Sequence, residues 1–239
     1  GALPALLAGH SLGEYSALVC SNVVAFEDAV DLVRKRGQYM QNAVPVGEGA
    51  MAAVLGLDDE AIIAACAAAC EGEEVVEAVN FNSPGQVVIA GSTAAVQRAS
   101  QALSDAGAKR VAPLPVSAPF HTSLMRPAAE ALAKDIDSLD FSAPHIPIVH
   151  NVNAAIEADP LQIKKLMVQQ TASPVQWTRT AQYMAEKGIT QGCECGPGKV
   201  LAGLVRRVQR EIAVAPLDSP DAFENALGAV GNARDNVPS

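Results

Sequence analysis

Ser11 is the residue in this chain best placed to act as a nucleophile. It lies in Gly9-His10-Ser11-Leu12-Gly13, a G-x-S-x-G element preceded by the apolar run Leu3 to Ala8 and followed by a helix-like stretch from Leu12 to about Cys20. A strand, a sharp turn and a helix in that order raise a serine hydroxyl above the sheet edge on a strained backbone. Glycines on either side keep side chains from colliding with the strand or helix beside the turn. The helix N-terminus faces whatever negative charge develops at the serine. A bare G-x-S-x-G also fits an ordinary loop serine. The apolar strand and the amphipathic helix supply the context a nucleophile needs.

A serine needs a base, and the chain has four histidines: His10, His121, His145 and His150. His10 is adjacent to Ser11 and would point away from its hydroxyl. His121 lies in Ser117-Ala118-Pro119-Phe120-His121-Thr122-Ser123, after a strand and before a helix, in the kind of loop where catalytic groups collect. His145 and His150 flank an apolar strand and read as structural, so His121 leads. Arg36 is the third candidate. It sits on the apolar side of a helix over 26–44, whose stripe is Phe26, Val30, Val33, Gly37 and Met40, with Asp28, Arg34 and Lys35 off it. Two readings of Arg36 stand: a partly buried guanidinium paired with a nearby acid, or a fixed cation for an anionic substrate group.

These residues must be positioned by an α/β framework. Beyond Pro45-Val46-Gly47 the pattern reads strand (51–55), helix (58–70), strand (75–80), strand (86–90), helix (93–106) and strand (110–116). That β-α-β-β-α-β order over residues 46–116 is the ferredoxin-like split pattern, inserted into a larger α/β domain formed by 1–45 and 117–239. Helices over 123–139, 161–170 and 178–187, strands over 146–149 and 189–193, a helix after Gly196-Pro197-Gly198 and a last helix over 222–230 return the chain to the parent sheet. The segment from Gly231 to Ser239 reads as a frayed polar tail.

Composition narrows the function classes. At 239 residues the chain can bury a sizeable core, and with 49% hydrophobic but 4% aromatic residues that core is aliphatic. A net charge of −9 argues against nucleic acid as the main partner. Five cysteines without small-domain spacing read as reduced thiols in a cytoplasmic protein. The pairs Cys66/Cys70 and Cys193/Cys195 read as buried small apolar residues rather than metal ligands. No apolar run approaches a membrane span, and no signal peptide is recognisable. The chain opens at Gly1, almost on the elbow strand, so a parallel sheet would lack its usual neighbours. A fragment lacking the N-terminal part of its core is the expectation.

Several blocks in order resemble one family. Gly9-His10-Ser11-Leu12-Gly13-Glu14-Tyr15-Ser16-Ala17-Leu18 is similar to the nucleophile motif of the malonyl-CoA:acyl carrier protein transacylases. Arg36-Gly37-Gln38-Tyr39-Met40-Gln41, Asn80-Phe81-Asn82-Ser83-Pro84-Gly85-Gln86, Pro119-Phe120-His121-Thr122, Pro174-Val175-Gln176-Trp177 and Glu194-Cys195-Gly196-Pro197-Gly198-Lys199-Val200-Leu201 match as well. The resemblance implies an α/β-hydrolase-like parallel-sheet core carrying the ferredoxin-like insertion. It implies a ping-pong transfer of malonyl from malonyl-CoA through Ser11 to the phosphopantetheine thiol of acyl carrier protein, for fatty acid or polyketide extension. No bound metal or redox cofactor is implied, and the enzyme is expected to be a monomer.

By the same resemblance His121 is the general base, oriented by the main-chain carbonyl of Gln170 instead of a carboxylate. Leu12 supplies an oxyanion N–H, and Arg36 holds the malonyl carboxylate by a fork that lysine could not reproduce. Phe120 disfavours an α-methyl group, and Met40, His10 and Asn80 join it around the substrate. The family's second oxyanion donor comes from a G-Q-G-x-Q loop that this sequence does not contain, which would leave the 239 residues alone weakly active. An acidic carrier would meet Lys109, Arg110, Arg206 and Arg207, although solvated helix charges are an equal reading of each. Two rivals stand beside the transacylase: a serine esterase or thioesterase on the same elbow, and a non-catalytic carrier-docking fragment.

Overall fold

The computed structural model describes residues 3–116 and 118–232. The chain divides into two compact units, Gly1–Thr180 and Ala181–Ser239. Parallel and antiparallel strands both occur, with helices between them, so the chain is mixed α/β.

In the first unit a two-residue strand β1 (Leu7–Ala8) leads into the elbow and helix α1 (Leu12–Cys20), then α2 (Phe26–Asn42). β1 runs parallel to β6 (Ile148–Val149), with Leu7 opposite Ile148 and Ala8 opposite Val149. The apolar run from Leu3 therefore becomes strand only at its end. Pro4 has no N–H to give a ladder, and Leu3 is exposed.

The stripe expected on α2 is corrected. Phe26 and Val30 are exposed and Ala29 and Leu32 are buried in their place, while Met40 and Arg36 are buried as expected. Both sets satisfy the helical period. The buried one is selected because Ala29 and Leu32 join Leu18, Leu132, Ile136, Ile148, Ile163 and Met167 in one cluster. Leu132 and Ile136 come from α5 (Arg126–Ser138), Ile163 and Met167 from α6 (Pro160–Thr171). Arg36 thus shares its face with core residues.

Residues 49–113 fold as β2 (Gly49–Leu55), α3 (Asp59–Ala69), β3 (Val76–Ser83), β4 (Gln86–Ser92), α4 (Thr93–Asp105) and β5 (Arg110–Pro113). The strands form one antiparallel sheet in the order β3-β4-β2-β5. Strand alternation assigns its two faces. Val87 and Ile89 face Ile62, Cys66, Ala99 and Leu103 of α3 and α4. Val88 and Ala90 face Met51, Val79 and Phe120. Strand β5 stops at Pro113 rather than Val116, since Pro113 and Pro115 cannot donate to the ladder.

The helix expected over 123–139 begins as a single 3-10 turn, Ser123–Met125, before α5. Pro127 falls in the first turn of α5, where a missing N–H costs little. Asp159 caps α6, accepting from the Leu161 N–H at 2.9 Å, and α7 (Trp177–Glu186) follows in the chain.

The second unit pairs β7 (Gln191–Glu194) in parallel with β8 (Ala213–Pro216), flanked by α8 (Val200–Val208) and α9 (Pro220–Asn232). The sequence pattern had shown no strand at β8, a four-residue segment closed by a proline. The Glu194 carboxylate caps α8, accepting from the N–H groups of Leu201 and Ala202 at 2.9 and 2.8 Å. Helix α9 takes in Gly231 and Asn232 of the expected tail; 233–239 lie outside the described residues. The cysteine reading is corrected too: only Cys66 is buried, and Cys20, Cys70, Cys193 and Cys195 are exposed. Among the described residues no helix is long and apolar enough to cross a membrane.

Candidate functional site

The elbow is built from a strained serine and a close approach. Ser11 has φ 52° and ψ −105°, and His121 has φ 65°. Both are in the left-handed region, at a cost of about 1–3 kcal/mol each, which surrounding contacts must offset. A Cβ at Gly9 would stand 2.0 Å from the carbonyl carbon of Gly13, so β1 and α1 meet only because Gly9 has none. At Gly13 a Cβ would meet nothing within 4 Å. The collision expected at both glycines belongs to Gly9 alone.

Asn151, just past the end of β6, ties the elbow. Its Oδ1 accepts from the Ser11 N–H at 2.7 Å, and its Nδ2 donates to the Gly9 carbonyl at 2.6 Å. Asn151 is fully buried, so each partner it leaves would be expensive to lose.

The structure brings Ser11, His121, Arg36 and Gln170 together. Ser11 Oγ lies 2.8 Å from His121 Nε2, and His121 Nδ1 lies 2.8 Å from the Gln170 carbonyl oxygen. A carbonyl can only accept, so Nδ1 carries the proton and Nε2 presents a lone pair to the serine. His121 is buried, and burial first, then the Arg36 charge, push its pKa down to about 3 against the pull of the Gln170 and Ser173 carbonyls. The imidazole is therefore neutral and able to take a proton.

Arg36 completes the cluster from α2. Its Nη2 donates to Ser11 Oγ and to Gln170 Oε1, each at 3.0 Å. The guanidinium carbon stands 5.3 Å from the Tyr15 ring centroid. Arg36 is 7% exposed, its Nε has no partner, and it enters no ion pair among the described residues. A buried cation left without a carboxylate is an anion site in waiting. Among the described residues this speaks against the reading of Arg36 as half of an internal ion pair. The Leu12 N–H, at the start of α1, likewise has no acceptor among the described residues and points from the helix N-terminus.

The remaining expected residues divide. His10 Nε2 is 2.9 Å from Asn82 Oδ1, its ring is 5.6 Å from Trp177, and burial lowers its pKa. Met40 and Phe120 share one apolar cluster with Met125 and Ala128. Asn80 stands at a bulge of β3, and its side-chain oxygen is buried with no hydrogen-bond partner among the described residues. Three residues escaped the sequence reading as parts of the site: Glu14, Asn151 and His150. Glu14 is fully buried and accepts from His150 Nδ1 (2.7 Å), Gln170 Nε2 (2.8 Å) and the Asn151 N–H (3.3 Å). The available signal was position: His150 and Asn151 follow the C-terminal end of a parallel strand, where α/β sheets place ligands.

The acyl transferase domain family matches residues 1–229 of the chain. The chain belongs to this family. The malonyl CoA-acyl carrier protein transacylase of Escherichia coli strain K12 is 53% identical over 227 residues, 95% of this acyltransferase and 73% of the relative. A 1.7 Å crystal structure of an acyl carrier protein S-malonyltransferase from Vibrio cholerae superposes with a TM-score of 0.92 at 52% identity, over 94% of this chain and 73% of that one. A malonyl-transacylase solved in complex with its type II PKS acyl-carrier protein superposes with a TM-score of 0.94 at 47% identity, over 96% and 74%.

Of the basic residues on the acyltransferase surface, Lys109 and Arg110 are exposed in the first unit. Arg206 and Arg207 are exposed in the last turn of α8 in the second.

Proposed function

We propose that this acyltransferase moves a malonyl group from malonyl-CoA to the phosphopantetheine thiol of acyl carrier protein through an ester on Ser11. The observation that carries the reading is one oxygen with two neighbours: Ser11 Oγ lies between the neutral Nε2 of His121 and the unpaired cation of Arg36. A nucleophile beside a base describes any serine acyl-enzyme former; the fixed buried cation selects an acyl group with a free carboxylate.

In the first half-reaction His121 Nε2 takes the Ser11 proton as Oγ attacks the thioester carbonyl. The Leu12 N–H faces the oxyanion of the tetrahedral adduct. Collapse breaks the carbon–sulfur bond, and the departing thiolate takes the proton from His121. In the second half-reaction the carrier thiol gives its proton to His121 as sulfur attacks the Ser11 ester, and the serine leaves with that proton. The Gln170 carbonyl keeps Nδ1 protonated throughout, so Nε2 remains the acting nitrogen. A carbonyl orienter suffices because thioester, ester and thioester differ little in energy.

The reading includes an α/β-hydrolase-like core in which 46–116 is a ferredoxin-like insertion, supported by the strand order β3-β4-β2-β5. It also includes Phe120, Met40, His10 and Asn80 as substrate neighbours, a monomer acting in the cytoplasm, and carrier contacts at Lys109, Arg110, Arg206 and Arg207. The test is intact mass after incubation with malonyl-CoA. A single malonyl increment, absent from Ser11→Ala and released by a pantetheine thiol faster than by water, is the expected result. An unmodified chain, or an increment surviving Ser11→Ala, overturns the reading.

A further inference from the structure

Gln170 has two jobs in the structure. Its main-chain carbonyl holds His121 Nδ1. Its side-chain amide spans a buried cation and a buried anion, with Oε1 accepting from Arg36 Nη2 at 3.0 Å and Nε2 donating to Glu14 Oε2 at 2.8 Å. Nε2 also donates to the Ser11 carbonyl at 2.9 Å. Arg36 has only donors and the Glu14 carboxylate only acceptors. The amide can satisfy both in a single orientation, so the two charges, together with the Ser11 carbonyl, fix which way it faces.

We propose that Glu14 is a positioning residue for acyl-group selection, holding Arg36 on Ser11 through the Gln170 amide. This rests on the malonyl-transfer reading above. Glu14 is the third residue of the elbow helix, in its first turn, with its carboxylate buried. Its other ligands, His150 Nδ1 and the Asn151 N–H, lock it in place. The same carboxylate therefore grips the residue that ties the elbow (Asn151) and the residue that holds the cation (Gln170). Neutralising it replaces the anionic one of the two acceptors at Gln170 Nε2 and leaves the Ser11 carbonyl. In Glu14→Gln a neutral amide oxygen holds Nε2 by a weaker hydrogen bond. The Gln170 Oε1 that seats the guanidinium beside Ser11 is then held less firmly.

The readout is the rate of Ser11 acylation by malonyl-CoA relative to acetyl-CoA, measured by intact mass. A side chain that merely supports the fold changes both rates by one factor. A side chain that seats Arg36 changes the malonyl rate selectively. Glu14→Gln is expected to lower the malonyl-to-acetyl ratio about tenfold or more, the scale of one lost charge-assisted hydrogen bond. Gln170→Met keeps the main-chain carbonyl but has no amide. It is expected to lower the ratio similarly, and adding Glu14→Gln to it should lower the ratio little further. An unchanged ratio in Glu14→Gln, or equal losses for both acyl groups, overturns the proposal. Should Glu14→Gln fail to fold, Gln170→Met decides alone, and an unchanged ratio there overturns it. Absence of any acylation in the unsubstituted chain defeats the malonyl-transfer reading instead, which separates the two failures.

Discussion

Arg36 and Ser11 are joined by a direct hydrogen bond: Nη2 donates to Oγ at 3.0 Å from a helix turn that shares its face with the core. The hydroxyl thus accepts from a cation while giving its own proton toward His121. Both contacts lower the cost of an alkoxide, and a carboxylate arriving on the acyl chain would share the same guanidinium.

Replacing Arg36 by alanine should cut malonyl acylation by tens- to thousands-fold, the roughly 2–5 kcal/mol of a desolvated charge pair losing one member. Acetyl acylation should fall far less. Lysine should recover only part, having one ammonium point charge where the fork reaches two acceptors. Single-turnover kinetics with the two thioesters check this. Equal losses would remove Arg36 from acyl selection.

His121 governs two pH effects of known sign. With its pKa pushed from 6.5 down to about 3, the folded chain holds His121 neutral while the unfolded chain protonates it below 6.5. The unfolded state then binds more protons, so stability falls as pH drops from 6.5 toward 3 and is unaffected by this group above that window. His10, also lowered by burial, acts in the same direction. Urea midpoints between pH 7 and pH 4 should decline, and less steeply in His121→Gln. The acylation kcat/KM should show no acid limb near 6.5, because the base stays neutral well below it; a limb at that pH would contradict the buried geometry.

Asn151→Ala should destabilise the protein by about 1–3 kcal/mol for each buried partner it abandons, here the Ser11 N–H and the Gly9 carbonyl. Activity should fall further than stability, since the elbow relaxes while the core remains. Denaturant unfolding alongside kcat separates the two; unchanged kcat in a folded variant would mean the elbow holds itself.

The glycines of the motif should behave oppositely. Gly9→Ala drives a Cβ into backbone at 2.0 Å, which neither β1 nor α1 can yield to without losing the elbow. Gly13→Ala meets open space and replaces a helical glycine, so stability should hold or rise by up to about 1 kcal/mol. Expression and thermal melting of the two variants provide the comparison.

Charge reversal at Lys109 and Arg110, or at Arg206 and Arg207, should raise KM for the carrier protein and leave that for malonyl-CoA nearly unchanged. Added salt should do the same. Parallel shifts in both KM values would dismiss these residues as a docking surface.

What could be read from the sequence followed how local the information was. Ser11 and its turn are contained in five residues, and Arg36 and His121 stand out as a cation on an apolar helix face and a histidine in a loop after a strand. The β-α-β-β-α-β order was visible because Pro or Gly marks most of its junctions, at Gly56, Gly72, Pro84-Gly85 and Gly107. The stripe of α2 was misjudged in its first half, since a face through Phe26 and Val30 and a face through Ala29 and Leu32 both satisfy the helical period and meet at Met40. Glu14 was invisible for a related reason: an acid in a helix's first turn looks like a partner for the helix dipole. Its actual partners, His150 and Gln170, lie 136 and 156 residues away. Strand β8 escaped because four small residues ending in proline carry no alternation.

The tie between Asn151 and the elbow also has a meaning for biosynthesis. The base of the serine lies 110 residues after it, the side chain that bends it into shape 140 after, and the glutamine that anchors both charges 159 after. A polypeptide still emerging from the ribosome therefore displays the motif without its reactivity, and meets cellular thioesters as a nucleophile only once the segment through Gln170 has followed.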